Sequence, residues 1–586
     1  MRTWALIALT AGLASCADPT DVDSPESSTA DHPLEDRRHH AHVDYPAIVV
    51  GSGYGGSVAA FHLGRAQIKT LVLERGRDWT VIDPTTNGTF ATLDTVTAPG
   101  GDVRSTWMNT TCIGNSYLQF GGPFPCPRGT GILEEMDDTP AAHRDASPAI
   151  KVNGVHVLVA AGVGGGSLVN GGVVLVPTKQ GWDAAFPPSQ LPYMQQVWRD
   201  LQARYFERAR ARLGASATPQ DVLDTDYYRG TRIMASLADA AGYPQLPASD
   251  LTSGTFGHSN APTIADWDKV RDEIAGRRVP SLIQGEVYWG SNSGAKKSLD
   301  KPEGYLGRAV ATGFVTVKPL HTVTGIEYDP ATHVYTVAVT HTDVDYNVLE
   351  TRTFTTHNLF MAAGSVGTTK LLVRARDSGA LPNLSQHVGT RWTTNGDLAH
   401  FRIVSSSFLP QGGPAGEKIV DFQDAANPVI IEAPPLRAPA FFANSPALQP
   451  FFGAMLTIAF GIPSGSGTFH YDPPTDTVVL DWPADGANNV YARVTSILSN
   501  PAFPGAPVIL PQPTSQGRSF HPLGGVPLNI ATDPYCELRG YRGLFAVDGA
   551  LIPGASAVAN PSLLITALAE RCMSHVTPRI AVEEFR

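Results

Sequence analysis

Cysteine is scarce here, with five in 586 residues. Their spacings suit no zinc site, and so few in so long a chain exclude a small disulfide-stapled scaffold. Positive charge is also short. The 43 Lys and Arg face 54 Asp and Glu, for a net charge of −11, which gives no support for nucleic-acid binding. No interior run is long and apolar enough to span a bilayer. No repeat of fixed period is present, which argues against a solenoid or propeller. What is there is an ordinary globular composition, 42% apolar and 17% charged. The length leaves room for two large domains or one elaborate one. With 57 Gly and 47 Pro, much of the chain must lie in turns and loops.

The N-terminus differs from the rest. "MRTWALIALTAGLASC" carries Arg2 and an apolar stretch from Trp4 to Leu13, too short to span, which reads as an export signal. Leu13-Ala14-Ser15-Cys16 has the form of a bacterial lipobox, which makes Cys16 a lipidation site. A plain secretory signal with a chance cysteine is the alternative. Residues 1–16 are then a signal and 17–43 a polar tether unlike any folding segment. The expectation is an exported bacterial protein, either a lipoprotein of the cell envelope or secreted. Export also permits disulfides. Cys112 and Cys126 flank a Gly/Pro-rich loop and either bridge or stay reduced, while Cys536 and Cys572 are expected to stay free.

The first folded stretch carries the strongest signal. Ile48, Val49 and Val50 end an apolar run, as in a buried parallel strand. Gly51, Gly53 and Gly56 then form G-x-G-x-x-G, enclosing Tyr54 and Gly55, and a helix follows over Val58–Leu63. A second apolar run, Thr70–Leu73, ends at Glu74. Gly51 suits a tight turn, Gly53 a close approach to a pyrophosphate, and Gly56 close helix–strand packing. The helix N-terminus favours the phosphates and Glu74 a ribose hydroxyl. The order of these parts makes a dinucleotide site, though it does not choose FAD over NAD.

Farther along, "VAAGVGGGSLVNGG" (Val159–Gly172) needs backbone close to something bulky. Tyr193–Gly214 reads as a helix. "FVTVKPLHTVTGIEYD" and "YTVAVTHT" read as meander strands. "THNLFMAAGSVGTTKLLVRARDSG" reads strand, turn, helix. Asn427–Ser496 alternates strand-like runs with Pro/Gly loops. The C-terminus returns to a strand at Leu544–Val547 and a helix from about Pro561 to Ser574. The fold class is therefore α/β, α+β overall. A Rossmann-like cofactor domain comes from separated segments (44–80, 297–388, 514–586). A substrate domain is inserted (81–296, 389–513).

Several stretches resemble the glucose–methanol–choline (GMC) oxidoreductases, and among them the bacterial cholesterol oxidases. They are "GVGGGSLVNGG", "KSLDK" (Lys297–Lys301), "LLVRARDSGALPNL" (Leu371–Leu384), "HPLGG" (His521–Gly525) and "DGALIPG…NPSLLITALAER" (Asp548–Arg571). The resemblance covers nearly everything from Asp44 onward and is weakest over Gln180–Tyr288. It implies an FAD domain beside a substrate domain with a large antiparallel sheet. It implies FAD as cofactor, oxygen as usual oxidant, and no metal. Ala161–Gly166 holds no His or Cys for a flavin bond, so FAD is expected to be noncovalent. Gly162, Gly166, Asn170, Gly171, Val323, Asp548 and Gly549 are implied to contact it, with the N-terminal glycines and Glu74.

Three residues carry the expected chemistry. His521, stiffened by Pro522, is implied to meet the substrate hydroxyl, and imidazole exchanges protons near neutral pH. The alternative is a core histidine. Asn560 precedes Pro561 and a helix, which is also how a plain helix cap looks; the resemblance implies a partner of the flavin. Glu432, in "NPVIIEAPP", is a lone carboxylate among apolar residues and a candidate base for double-bond migration. An ion pair with Arg437 is its bland reading. Asn395, in "TTNGD", matches a polar residue near the pocket. Ile430 and Ser562 stand where sterol oxidases carry Phe, Phe520 replaces a Tyr, and Val173 a Met, so the pocket is reshaped. The expected activity is oxidation of a 3β-hydroxysterol, with isomerisation of the 5-ene-3-ketone. A flavoenzyme for another alcohol with another electron acceptor, and a lipoprotein keeping FAD only as a binding module, are the alternatives.

Overall fold

The computed structural model describes residues 41–79, 133–137, 155–247, 256–278, 280–285, 294–405, 409–414, 416–435, 453–503, 506–508, 517–556 and 558–584. Cys16, Cys112, Cys126 and Arg437 lie outside them.

Ala47–Val50 and Thr70–Leu73 are buried along their whole length and pair in parallel, Ala47 opposite Thr70. An unbroken apolar run suits a strand covered on both faces. The helix Tyr54–Arg65 makes the crossover between them. Asn358–Met361 lies on the other side of Ala47–Val50, and Leu544–Ala546 lies beyond it. Val315–Lys318 lies outside Thr70–Leu73. This five-stranded sheet is parallel throughout, and Phe360 stacks on Phe545 in its core at 4.7 Å. From the first strand the chain moves one way to Thr70 and later the other way to Asn358. Open parallel sheets bind ligands at such a reversal, beyond the carboxyl ends of the strands.

Strands between Phe256 and Val508 form a second sheet, antiparallel and six-stranded. Its order is Ala506–Val508, Leu398–Ile403, Ala454–Gly461, Val429–Glu432, Glu417–Asp421, Phe256–Asn260. A three-stranded meander, His321–Asp329, Val334–Thr342 and Val348–Thr356, lies between strands of the parallel sheet in sequence. The fold is thus mixed α/β, a Rossmann-like domain of discontinuous segments with an antiparallel sheet inserted.

Three differences from the sequence reading are instructive. The C-terminal helix runs Ser562–Glu584, past Ser574 and through Pro578. Its Glu570 is fully buried and tied to Arg212 Nη1 at 2.7 Å, Tyr305 Oη at 2.7 Å and His62 Nε2 at 3.0 Å, so tertiary contacts hold the helix together. The Asn427–Ser496 stretch closes in a helix, Asn488–Leu498, whose Val490 and Val494 are buried. Cys536 and Cys572 are not free. They form a disulfide with Cα atoms 6.0 Å apart, which ties the loop before Leu544 to the C-terminal helix.

Candidate active site

A cavity of about 550 Å³ opens at the sheet reversal. Gly51 leaves the first strand at φ +97°, and a Cβ there would lie 2.3 Å from the Ala362 carbonyl oxygen. Only glycine fits such a turn. A Cβ on Gly53 would meet nothing within 4 Å, so the backbone at the start of the helix is bare toward the cavity. Ser52 ties this turn to the second glycine loop. Its Oγ donates to Glu74 Oε2 at 2.6 Å and accepts from Gly164 N at 3.0 Å. Glu74 also takes Gly76 N at 2.8 Å, and burial raises its pKa above the ordinary carboxylate value.

Gly51, Gly53, Tyr54, Gly55, Glu74, Gly166, Asn170, Gly171, Val323, Asp548 and Gly549 all line this cavity, as do His521, Asn560, Glu432, Phe520 and Val173. Four expected residues do not. Gly56 lies in the first turn of the helix and faces the strand turn, where a Cβ would strike the Gly51 carbonyl oxygen, and Gly162 packs on Trp79 and Leu168. Ile430 is buried beside Val173 and Phe460. Asn395 is fully buried behind the wall, where its Oδ1 accepts from Ser556 N at 3.0 Å.

The chemistry-bearing groups meet at one part of the wall. Asn560 Nδ2 donates to Glu432 Oε2 at 3.3 Å. Its Oδ1 has no partner among the described residues, so the side chain does not cap the helix it precedes. Burial pushes Glu432 up to about 7, against the opposing pull of Asn560, His521 and Lys418. Lys418 sits directly across the strand pair from Glu432, fully buried, and its Nζ donates to Ser259 Oγ at 2.5 Å.

His521 is held by a residue that the sequence reading passed over. Asp397 Oδ1 lies 2.9 Å from His521 Nδ1, and its Oδ2 accepts from Phe520 N at 2.6 Å and His521 N at 2.8 Å. Burial alone would lower the imidazole pKa. Asp397 and Glu432 more than offset it, and the value is raised above 6.5. The signal for Asp397 lay in "TTNGD" itself, two residues past the one selected. Lys418 carried no local signal, because its partner lies across a strand pair.

Behind the second glycine loop, Lys296 is fully buried, and its Nζ donates to the Asn170 carbonyl at 2.5 Å. Burial pulls that lysine down to about 7. Asn170 Nδ2 donates to Tyr54 Oη at 2.6 Å. Asp548 takes Thr368 Oγ1 at 2.6 Å and Ala550 N at 2.9 Å, and burial pushes it up to about 6.

These residues fit a flavin dinucleotide. A bare helix N-terminus suits a pyrophosphate, and the buried Glu74 suits a ribose. Asn170 Oδ1, Glu432 Oε1 and Asn560 Oδ1 are buried and unpartnered among the described residues, and buried polar groups call for partners. When bound, FAD would supply the hydride acceptor for an alcohol carbon.

No family model matches the sequence. The chain is 26% identical over 595 residues to a cholesterol oxidase of Mycobacterium tuberculosis, covering 91% of each. It is 22% identical over 608 residues to a cholesterol oxidase of Acinetobacter baumannii, covering 92% of this chain and 96% of the relative. Among solved structures, pyridoxine 4-oxidase from Mesorbium loti matches with a TM-score of 0.57 at 13% identity, over 91% of this chain and 99% of that one. A fungal aryl-alcohol oxidase matches with a TM-score of 0.54 at 14% identity, over 93% and 100%. Sequence and fold together make the chain similar to the GMC oxidoreductases. The site and these likenesses support an FAD-dependent alcohol oxidoreductase, similar in sequence to cholesterol oxidases.

Proposed function

We propose that the protein oxidises a 3β-hydroxysterol to the 3-ketone, passes the electrons to oxygen, and then isomerises the 5-ene-3-ketone to the conjugated 4-ene-3-ketone. The observation that carries this reading is Glu432, a buried carboxylate on the cavity wall with its pKa near 7, beside Asn560 and facing His521. Oxidation of a simple alcohol needs a group for the hydroxyl proton and has no use for a second carboxylate. Migration of a double bond does, because a proton must leave one carbon and return to another. A carboxylate poised near neutral pH suits that traffic. His521 serves the hydroxyl, and Asn560 sits at the start of a 23-residue helix whose positive end favours negative charge on its partner.

The decisive experiment is anaerobic mixing of the yellow protein with cholesterol. Bleaching of the flavin, followed by the conjugated ketone, supports the proposal. Bleaching by other alcohols but not by sterols points to the second alcohol-oxidising reading. That reading draws support from the polar side chains of Tyr54, Asn170 and Ser562 on the wall. No bleaching by any alcohol leaves only the binding-module reading.

A further inference from the structure

The turn between the strands Thr390–Thr393 and Leu398–Ile403 is built from Thr394, Asn395, Gly396 and Asp397. Both central residues have positive φ, +60° at Asn395 and +68° at Gly396, and Asp397 N closes the turn on the Thr394 carbonyl at 3.4 Å. Asn-Gly is the pair that such a turn demands. Asp397 follows it directly and is delivered beneath His521, with its side chain wholly shielded from solvent.

Four donors converge on that carboxylate: the backbone N–H groups of Phe520 and His521, the ring Nδ1 of His521, and the Ser519 hydroxyl at 3.4 Å. Convergent donors suit an acceptor-only anion. A carboxylate at Nδ1 fixes the proton on that nitrogen in both the neutral and charged ring. The lone pair of the neutral ring is then on Nε2. The ring is braced edge-on against Phe460 at 5.5 Å, and its side chain keeps 19% exposure on the cavity side.

We infer that Asp397 is a positioning residue for alcohol oxidation, holding His521 in the Nδ1–H form so that Nε2 takes the hydroxyl proton. The inference rests on the alcohol-oxidising reading above. In the step, the substrate O–H bond breaks and its proton forms an N–H bond at Nε2. The carbon–oxygen double bond forms as the same carbon gives up a hydride, for which bound FAD would be the acceptor. The charge that appears on the ring faces Asp397 on one side. The groups facing His521 are Asp397 from the turn, Glu432 from the sheet, uncharged Asn560 from the helix start, and Phe460 from the neighbouring strand.

Asp397→Asn tests the role. The amide offers an N–H where the carboxylate had a lone pair, and it removes the charge. Anaerobic flavin reduction by cholesterol should slow by about 10²–10⁴-fold, the range for loss of an acid–base group. The acid limb of that rate against pH should also move down by about 1–3 units, as expected when an adjacent opposite charge is lost. Combined with His521→Gln, it should add almost nothing, because both act through one ring. An unchanged rate, a loss without movement of the limb, or additive losses would each overturn the inference.

A second measurement covers a variant that fails to hold flavin. In the FAD-bound wild type labelled with nitrogen-15 histidine, the resonances absent from His521→Gln identify this ring. Nδ1 should read as N–H at every pH, with Nε2 alone titrating. A bare Nδ1 in the neutral ring refutes the inference. If Nδ1 holds its proton but no alcohol bleaches the flavin, the dyad stands and the reading of the reaction fails.

Discussion

Glu432→Gln separates the two proposed chemical steps. The substitution keeps the size of the side chain and an oxygen for Asn560 Nδ2, now 3.3 Å from Glu432 Oε2, but it removes the proton acceptor. Isomerisation loses its base, for which about 10²–10⁴-fold is the expected loss, or about 3–5 kcal/mol in barrier. Oxidation loses only the charge on one hydrogen bond. Bonds to charged groups exceed neutral ones by about 1 kcal/mol, which is about fivefold in rate and less for a contact this long. The assay supplies the 5-ene-3-ketone directly and follows the ultraviolet absorbance of the conjugated ketone. Anaerobic bleaching by cholesterol reports the first step. Asn560→Leu is the control, expected to slow bleaching severely and spare isomerisation more. The pH dependence is a further check. A base must be ionised, so the wild-type isomerisation rate should rise through about pH 7, the value to which burial pushes Glu432. Wild-type isomerisation by Glu432→Gln would refute the assignment and remove the most specific support for a sterol.

Glu570→Gln should destabilise the FAD-loaded protein by about 3–5 kcal/mol in urea, because Arg212 would keep its buried charge without the Glu570 carboxylate. Burial opposes ionisation of Glu570, but His62, Arg212 and Tyr305 overcome it and hold the pKa near 2, below the ordinary 4.5. Its contribution is therefore full above about pH 4.5 and fades as pH falls toward 2; an unchanged urea midpoint at pH 7 would contradict this. Acid precipitation should release all the yellow colour, since Ala161–Gly166 has no His or Cys, and colour kept in the pellet would mean a covalent flavin. Cys16→Ser should move the protein from membrane to soluble fractions; unchanged partitioning would leave a plain secretory signal.

The parallel sheet was legible because its strands are continuous apolar runs next to glycine turns, as in Ala47–Gly51. The gathering of His521, Asn560 and Glu432 on one cavity wall was legible through resemblance and local context together. What escaped was set by pairing between distant segments. Lys418 looks like an ordinary strand lysine until register places it opposite Glu432. Cys536 and Cys572 gave no spacing signal, because a helix and a loop meet only in the folded chain. Asn395 drew attention as the amide in "TTNGD", but its work is the left-handed turn and the brace to Ser556. The group that reaches the active site is Asp397. Sequence places the last four of these residues on one turn, and only the fold shows which of them meets His521.

That turn serves both halves of the site, with Asp397 holding His521 and Asn395 holding the loop that leads to Asn560. The two proposed steps are joined in a second way. Glu432 raises the pKa of His521, and His521 in turn lowers that of Glu432. Their titrations are coupled, so a proton on one favours loss of the proton from the other. The ring must be neutral to accept the hydroxyl proton, and Glu432, near 7, is partly protonated. Once the ring has taken the hydroxyl proton, it favours the ionised carboxylate, and the base for the second step is strengthened by the first. His521→Gln removes that influence. With the 5-ene-3-ketone supplied directly, the rising limb of isomerisation should move to higher pH, because Glu432 loses a neighbour that holds its pKa down. Poorer grip on the ketone lowers the rate without moving the limb, so the position of the limb is the measurement that matters. A limb that stays at its wild-type pH would show that the two groups do not communicate, and the order of the steps would then rest on substrate chemistry alone.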